Sequence, residues 1–257
     1  MFTNNFDPVA LQILSFEIRW YSLAYILGIL LGWIYCKKIL IKNNELLNLF
    51  DDFVTYLIVG ILVGGRLGYV LFYDLTYFLN NPSEILMIWN GGMSFHGGLI
   101  GIIISSIIYA KKVDKNFYTF LDLVSVVAPI GIFFGRIANF INSELYGTET
   151  NVPWSVKFIL VDNLNRHPSQ LYEAILEGLV LFLIIQYFVK KNLFLKPGLI
   201  SALFLIFYSL FRFLSEFFRN PDPHIGYLMF DLTLGQLMSI IFFFIGLSLF
   251  YKKNEIK

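Results

Sequence analysis

Cysteine, histidine and charge are all scarce in this chain. Its one cysteine, Cys36, excludes an intrachain disulfide, and three histidines without Cys/His clustering argue against a structural metal centre. Only 14% of the 257 residues are charged, fewer than a soluble domain of that length carries. A net charge of +1 offers no case for nucleic acid. The first residues lack a basic n-region and a small-residue cleavage site, so no cleavable signal peptide is expected. Neither a separate soluble domain nor an internal repeat nor a low-complexity tract stands out, and residues 1–257 read as a single transmembrane helical domain.

What the chain has in abundance is apolar run. Hydrophobic residues make up 57%, and a helix needs roughly 17–25 of them to cross a bilayer. Seven runs qualify, at about 20–36, 53–73, 93–110, 119–141, 170–189, 198–218 and 232–251. The expected class is therefore an all-α, polytopic membrane protein. Lysines sort by connection. Lys37, Lys38, Lys42, Lys111, Lys112, Lys115, Lys190, Lys191, Lys196, Lys252, Lys253 and Lys257 follow alternate runs, whereas the other connections hold only Lys157, Arg166 and Arg219. By the positive-inside rule the lysine-rich side is cytoplasmic, with the N-terminus outside and the C-terminus inside. The outer connections are then about 74–92, 142–169 and 219–231. In the first of them Ser83–Trp89 reads as a surface-lying piece, and its Trp suits the membrane interface.

Glycines recur one turn apart at Gly28/Gly32, Gly60/Gly64/Gly68, Gly97/Gly101 and Gly131/Gly135, spacing that lets helix backbones approach closely in lipid. Cys36 reads as a small packing residue. Asp122, three after Thr119, has capping-box spacing and reads as a helix cap.

The unusual polar groups gather toward the outer ends of the runs. A charge in hydrocarbon costs several kcal/mol, about 3 on insertion scales, so it marks a functional site or a pair. Arg136 and Asn139 share a helix face, followed by Asn142 and Glu144. Tyr208, Arg212, Glu216 and Arg219 form one stripe of a later helix. Arg212–Glu216 reads either as a bundle-locking pair or as part of a site. Arg136 has no carboxylate one turn away, so it needs a partner on another helix or an anionic ligand. An arginine fork matches phosphate oxygens bidentately, so two such arginines near one face suggest a phospholipid headgroup. His96 lies between Gly91-Gly92 and Gly97-Gly98, where a ligand can come close, and an imidazole is a candidate general base. His167, ahead of Pro168, reads as chemistry or as the fixed start of the fifth run; His224 reads as a solvated turn residue.

Together these stretches resemble the prolipoprotein diacylglyceryl transferase family across essentially the whole chain. The most specific segment is Gly-Arg-x-Ala-Asn-Phe-Ile-Asn-x-Glu at 135–144, completed by Gly147. His-Gly-Gly at 96–98, His-Pro-Ser-Gln-Leu-Tyr-Glu at 167–173 and Arg-x-x-x-Glu-Phe-Phe-Arg at 212–219 agree with it. Asn90 departs from a commonly acidic position, and the connection after residue 147 is short. The resemblance implies an enzyme of the bacterial inner membrane with its site toward the outer face. It implies transfer of diacylglyceryl from phosphatidylglycerol to the lipobox cysteine thiol of prolipoproteins, giving a thioether and glycerol phosphate. The implied catalytic residues are His96, Arg136, Arg212, Asn139, Glu144 and Tyr21. Arg66, Gly97, Gly98, Glu216 and Arg219 join Arg136 and Arg212 as candidates for phosphatidylglycerol contact. The implied partners are phosphatidylglycerol, the lipobox segment and membrane lipids, and no cofactor or metal is implied.

Two other classes compete. A membrane anion or phospholipid transporter with an arginine-lined site should show polar residues in both membrane halves, and no inverted repeat is evident. A purely structural membrane protein leaves the clustered His, Asn, Glu and Arg without purpose.

Overall fold

A computed structural model describes residues 2–14, 16–221 and 226–255. His224 and Lys257 lie outside the described residues. Along the chain come three short strands, β1 (Phe2–Asn4), β2 (Val9–Ile13) and β3 (Phe16–Arg19), then α1 (Trp20–Tyr35), continued by a π-helical turn Cys36–Leu40. After these come α2 (Asn44–Phe72), α3 (Leu75–Asn80), 3₁₀ turns Pro82–Leu86 and Ile88–Asn90, α4 (Phe95–Lys112) and α5 (Phe117–Ile141). Strands β4 (Val156–Phe158) and β5 (Asn165–Arg166) precede α6 (Ser169–Glu173), which runs through a π-helical stretch Ala174–Val180 into α7 (Leu181–Lys190). Helices α8 (Leu199–Ser215) and α9 (Leu234–Asn254) complete the order.

Among the described residues, six helical stretches are long and apolar enough to cross a membrane: Trp20–Leu40, Asn44–Phe72, Phe117–Ile141, Ser169–Lys190, Leu199–Phe218 and Leu234–Asn254. The run expected at 93–110 is helical, as α4, but His96, Lys111 and Lys112 dilute its apolar character and it falls outside these six. Helix α2 starts nine residues before the run expected at 53. Asn43 caps it by accepting from the Glu45 and Leu46 amides, and its polar first turns carry Lys115–Glu45 and Lys37–Asp51 ion pairs at 2.6 and 2.5 Å. The short strands are an addition to the expected all-helical plan. Lysines close the last turns of α4, α7 and α9, where a cation also complements the helix dipole.

The chain forms two compact units, residues 37–121 and residues 1–36 with 122–257. In the first, α2 and α4 meet along a glycine seam. A Cβ on Gly97 would stand 2.2 Å from the Gly64 carbonyl oxygen, and one on Gly101 would stand 2.0 Å from that of Gly60. Neither position tolerates a side chain. Phe53, Tyr109 and Phe120 fill the space beside this seam, and the Tyr109 hydroxyl donates to Leu49 O at 2.7 Å. Arg66, 5% exposed, is held in this unit as well.

In the second unit α1 packs on α5 through Gly28, whose Cβ would lie 2.9 Å from Gly131 Cα. Cys36 is buried, as a packing residue should be. Asp122 is a cap, but of a neighbouring helix rather than its own. Helix α5 already begins at Phe117, and the Asp122 carboxylate accepts from the Gly198 and Ser201 amides and the Ser201 hydroxyl at 2.7, 2.8 and 2.6 Å. It thereby satisfies the free N–H groups that open α8.

The segment between α5 and α6 is tied down rather than loose. β4 pairs parallel with β1 and antiparallel with β5. Phe140, Val156 and Phe158 form a small core beneath Tyr146, Val161 and Leu171. The Asp162 carboxylate accepts a fork from Arg166, which holds its pKa below the usual carboxylate range.

Candidate active site

The second unit carries a closed network of buried charge. Arg136, on α5, points one guanidinium nitrogen at Glu173 (2.8 Å) and another at Glu177 (3.1 Å). Arg212, on α8, reaches the same two glutamates at 2.7 and 3.5 Å, and Glu216 one turn on at 2.5 Å. Glu173 and Glu177 are 0% exposed, whereas the two arginine side chains keep 16% and 12% of theirs. Glu173 and Glu177 are thus sealed from the surface, while the arginine side chains that hold them keep a small accessible part. Ser215 donates to Glu177 at 3.1 Å, Thr233 donates to Glu216 at 3.0 Å, and Tyr208 interacts electrostatically with both arginines and with Glu173 and Glu177.

The local fold explains the convergence. Glu173 ends α6 and Glu177 lies within the π-helical stretch, whose wider turn brings the two carboxylates to the same neighbours. Single π-turns inside helices recur at functional sites. Gly178 lets this stretch lie against α5, since a Cβ there would stand 2.7 Å from that of Phe133. Gly235 leaves room for the Glu216 carboxylate, 2.7 Å from where its Cβ would be.

A second polar group stands at the end of α5. The Tyr21 hydroxyl donates to Glu144 Oε2 at 3.0 Å, and the Asn139 amide donates to the Tyr21 hydroxyl and, at 3.4 Å, to Glu144. Glu144 is exposed while Asn139 is buried. It sits between Ser143 and Leu145, both at positive φ (57° and 53°), a conformation that costs non-glycine residues on the order of 1–3 kcal/mol. Two fully buried side chains hold that turn: Ser169 donates to Leu145 O at 2.9 Å and Gln170 to Glu144 O at 2.6 Å. The Ser-Gln of the 167–173 segment therefore places Glu144. Gly147 is needed for a close crossing, because a Cβ there would lie 2.4 Å from His167 O; its backbone bridges that of Arg219. His167 contacts the Tyr172 hydroxyl (3.1 Å) and the Phe218 ring, and burial pushes its imidazole below the usual value.

The structure thus brings together six of the expected residues, Arg136, Arg212, Glu216, Tyr21, Asn139 and Glu144, in one unit. Arg219 lies in the same unit, its backbone bridged to Gly147, whereas His96, Arg66, Gly97 and Gly98 lie in the unit of residues 37–121. His96 occupies the first turn of α4, exposed, with Ser94 capping the helix by accepting from the Gly97 amide. Gly97 is accounted for by the α2–α4 seam, while a Cβ on Gly98 would meet Ile61 O at an ordinary contact distance of 3.9 Å. Arg66 is engaged by the backbone: its guanidinium donates to the carbonyls of Glu84 (2.6 Å), Ile85 (3.0 Å), Gly91 (2.5 Å) and Gly92 (3.1 Å), so it fastens the 82–92 segment. A guanidinium that serves four carbonyls has few donors left for a phosphate.

Glu173 and Glu177 are what the sequence reading passed over. The rule that marks Arg136, a charge inside an apolar run, marks both of them equally.

The model of the prolipoprotein diacylglyceryl transferase family matches residues 8–252 of this chain. A phosphatidylglycerol–prolipoprotein diacylglyceryl transferase of Rickettsia bellii (strain OSU 85-389) is 50% identical over 251 residues, which cover 96% of this chain and 95% of the relative. Those of Rickettsia typhi (49% identity; 99% and 100% covered) and Rhodopseudomonas palustris (46%; 94% and 88%) are similar to it as well. The chain belongs to the prolipoprotein diacylglyceryl transferase family and is a polytopic helical membrane protein.

Proposed function

We propose that this family member transfers the diacylglyceryl group of phosphatidylglycerol to the lipobox cysteine thiol of a prolipoprotein. The observation that carries the reading is the pair of arginines, Arg136 and Arg212, brought from two helices to the same two fully buried carboxylates inside an apolar helix bundle, each side chain keeping a small accessible part. The thiolate sulfur attacks the glyceryl carbon, the carbon–oxygen bond to phosphate breaks, and the thiol proton ends on the released glycerol phosphate. Arginines already in place meet the charge that gathers on the departing phosphate, which is where preorganised donors contribute most. A free thiol near pKa 8.5 is only a few per cent thiolate at neutral pH, so a base is needed, and exposed His96 is assigned that role. Tyr21, Asn139 and Glu144 form a polar group suited to the glycerol hydroxyls or the acceptor backbone. Gly98, where a Cβ would meet Ile61 only at an ordinary contact distance, is kept as a contact for lipid.

The lysine asymmetry places the N-terminus outside and the C-terminus in the cytoplasm, which requires an odd number of crossings. Helix α4 is the seventh, packed along its length on α2 by the glycine seam. The site then faces outward in the bacterial inner membrane, where exported prolipoproteins arrive. The test is transfer of labelled diacylglyceryl from phosphatidylglycerol to a lipobox peptide by the purified protein. Thioether product establishes the reading; release of the headgroup without a thioether, or no turnover by folded protein, overturns it.

A further inference from the structure

Among the described residues, the charges joined in the buried network do not balance. Arg136 and Arg212 supply two positive charges, and Glu173, Glu177 and Glu216 supply three negative ones. A phosphodiester arriving at the arginines adds a fourth. Two uncompensated negative charges in an apolar bundle would cost more than the pairing returns, since desolvation already offsets most of a buried ion pair. Something must bring in a proton or expel a carboxylate. Expulsion is blocked, because Glu173 and Glu177 are 0% exposed and sit on helical turns packed against α5 and α8.

We propose that binding of the phosphatidylglycerol headgroup is coupled to uptake of one proton by the Glu173–Glu177 pair, whose carboxylates hold the guanidiniums in position until the phosphate shares them. This rests on the function proposed above and deepens it. The two carboxylates are the right acceptors on geometry. Both Oε1 atoms converge on the same Arg212 nitrogen, at 2.7 and 3.5 Å, and both Oε2 atoms face the Arg136 guanidinium. Like charges that share a site favour one protonated member. The groups facing them are Arg136 from α5, with Arg212, Tyr208 and Glu216 from α8 and its 3₁₀ extension. When a phosphate oxygen takes over part of either guanidinium, the relieved carboxylate loses its cation and binds a proton. Glu216 pairs with Arg212 alone, whereas Glu173 and Glu177 each pair with both arginines and are relieved when a phosphate shares either one. The pair therefore acts through the arginines: Glu173 and Glu177 are positioning residues that also settle the charge of the occupied site.

The test is a proton count. Dioctanoyl phosphatidylglycerol is titrated into the purified full-length protein in two buffers of different ionisation enthalpy, and affinity is measured from pH 6 to 8.5. The wild type should take up about one proton per lipid, with affinity weakening about tenfold per unit rise in pH once the free pair is ionised. Glu173→Gln and Glu177→Gln carry a neutral amide in place of one carboxylate. Each should take up almost none, and its affinity should be flat with pH and at least about tenfold tighter than the wild type at pH 8.5. His96→Gln distinguishes the other available base, and its uptake should match the wild type. No uptake by the wild type, uptake unchanged in both glutamine variants, or uptake lost in His96→Gln each overturns the proposal. If the glutamine variants do not fold, the wild-type and His96→Gln counts still decide it. Labelled transfer to a lipobox peptide is followed on the same preparation. Transfer without proton uptake sinks this inference alone, and proton uptake without transfer sinks the proposed function alone.

Discussion

Replacing Arg136 by lysine separates a cation that merely balances charge from a fork that holds a phosphate. Two different nitrogens of Arg136 serve Glu173 and Glu177, at 2.8 and 3.1 Å. Lysine offers one nitrogen, so it keeps the charge, gives up one of the two contacts and loses the planar edge that fits a phosphate. The stability loss is that of one charge-assisted contact, about 1.5–3 kcal/mol. Arg136→Leu, by contrast, strands the glutamates and should cost about 3–5 kcal/mol. The catalytic loss in Arg136→Lys is larger in its effect on rate. Removing one donor aimed at developing charge costs on the order of 3 kcal/mol, which is about a hundredfold in turnover. The expected result is a thermal midpoint a few degrees below wild type, with diacylglyceryl transfer down about a hundredfold at saturating lipid. Detergent thermal stability and initial rates on the same preparation check it. Transfer near the wild-type rate would refute the bidentate phosphate role. Transfer falling only as the folded fraction falls would make Arg136 a lock for the bundle and nothing more.

Other outcomes follow from the same geometry. Gly64→Leu drives a Cβ to 2.4 Å from the Gly97 carbonyl oxygen and should abolish folding, whereas Gly98→Ala, whose Cβ would stand 3.9 Å from Ile61 O, should leave the thermal midpoint within about a degree of wild type. His96→Gln should lower turnover by about a hundredfold while binding of phosphatidylglycerol stays within about twofold, read from kinetics against lipid titration. Because the folded imidazole of His167 is pushed below its unfolded value, protons favour the unfolded chain; its contribution is complete above about pH 6.5 and declines as pH falls below that, so His167→Phe should flatten that limb of the thermal midpoint against pH. Reporter fusions after Tyr251 should read cytoplasmic and those near Thr150 outside; the reverse would overturn both the topology and the face assigned to the site.

How far the chain could be read in advance depends on how far apart the partners lie along it. The long apolar helices were legible because hydropathy is a property of one segment. The seam between α2 and α4 was nearly so, because Gly60, Gly64 and Gly68 keep step with Gly97 and Gly101. Arg212–Glu216 was legible as a pair because its members are one turn apart. The polar opening of α2 was missed because Asp51 and Asp52 break the apolar run without breaking the helix, which Asn43 caps eight residues earlier. The strands were illegible because two to five residues carry too little alternation to register. Arg66 shows a harder limit: its partners are backbone carbonyls, which every residue has, so no residue type near it announces them.

Glu173 and Glu177 differ from all of these, since the sign that marks them was in plain view. They interrupt an apolar run one turn apart, as visibly as Arg136 interrupts its own. A like-charge pair at that spacing destabilises an isolated helix, so on local grounds it should not be there. Its persistence in a membrane-grade segment therefore implies cations brought by other helices. Two intramembrane arginines, neither of which finds both of these carboxylates nearby in sequence, are the only such cations in the runs of this unit. Counting intramembrane charge as a sum, rather than residue by residue, joins the two unexplained arginines to the two unexplained glutamates before any coordinate is known. Glu216, paired with Arg212, then leaves one negative charge in surplus, which a phosphate would have to overcome. That surplus is what makes proton uptake, rather than arginine geometry alone, the quantity on which headgroup binding turns.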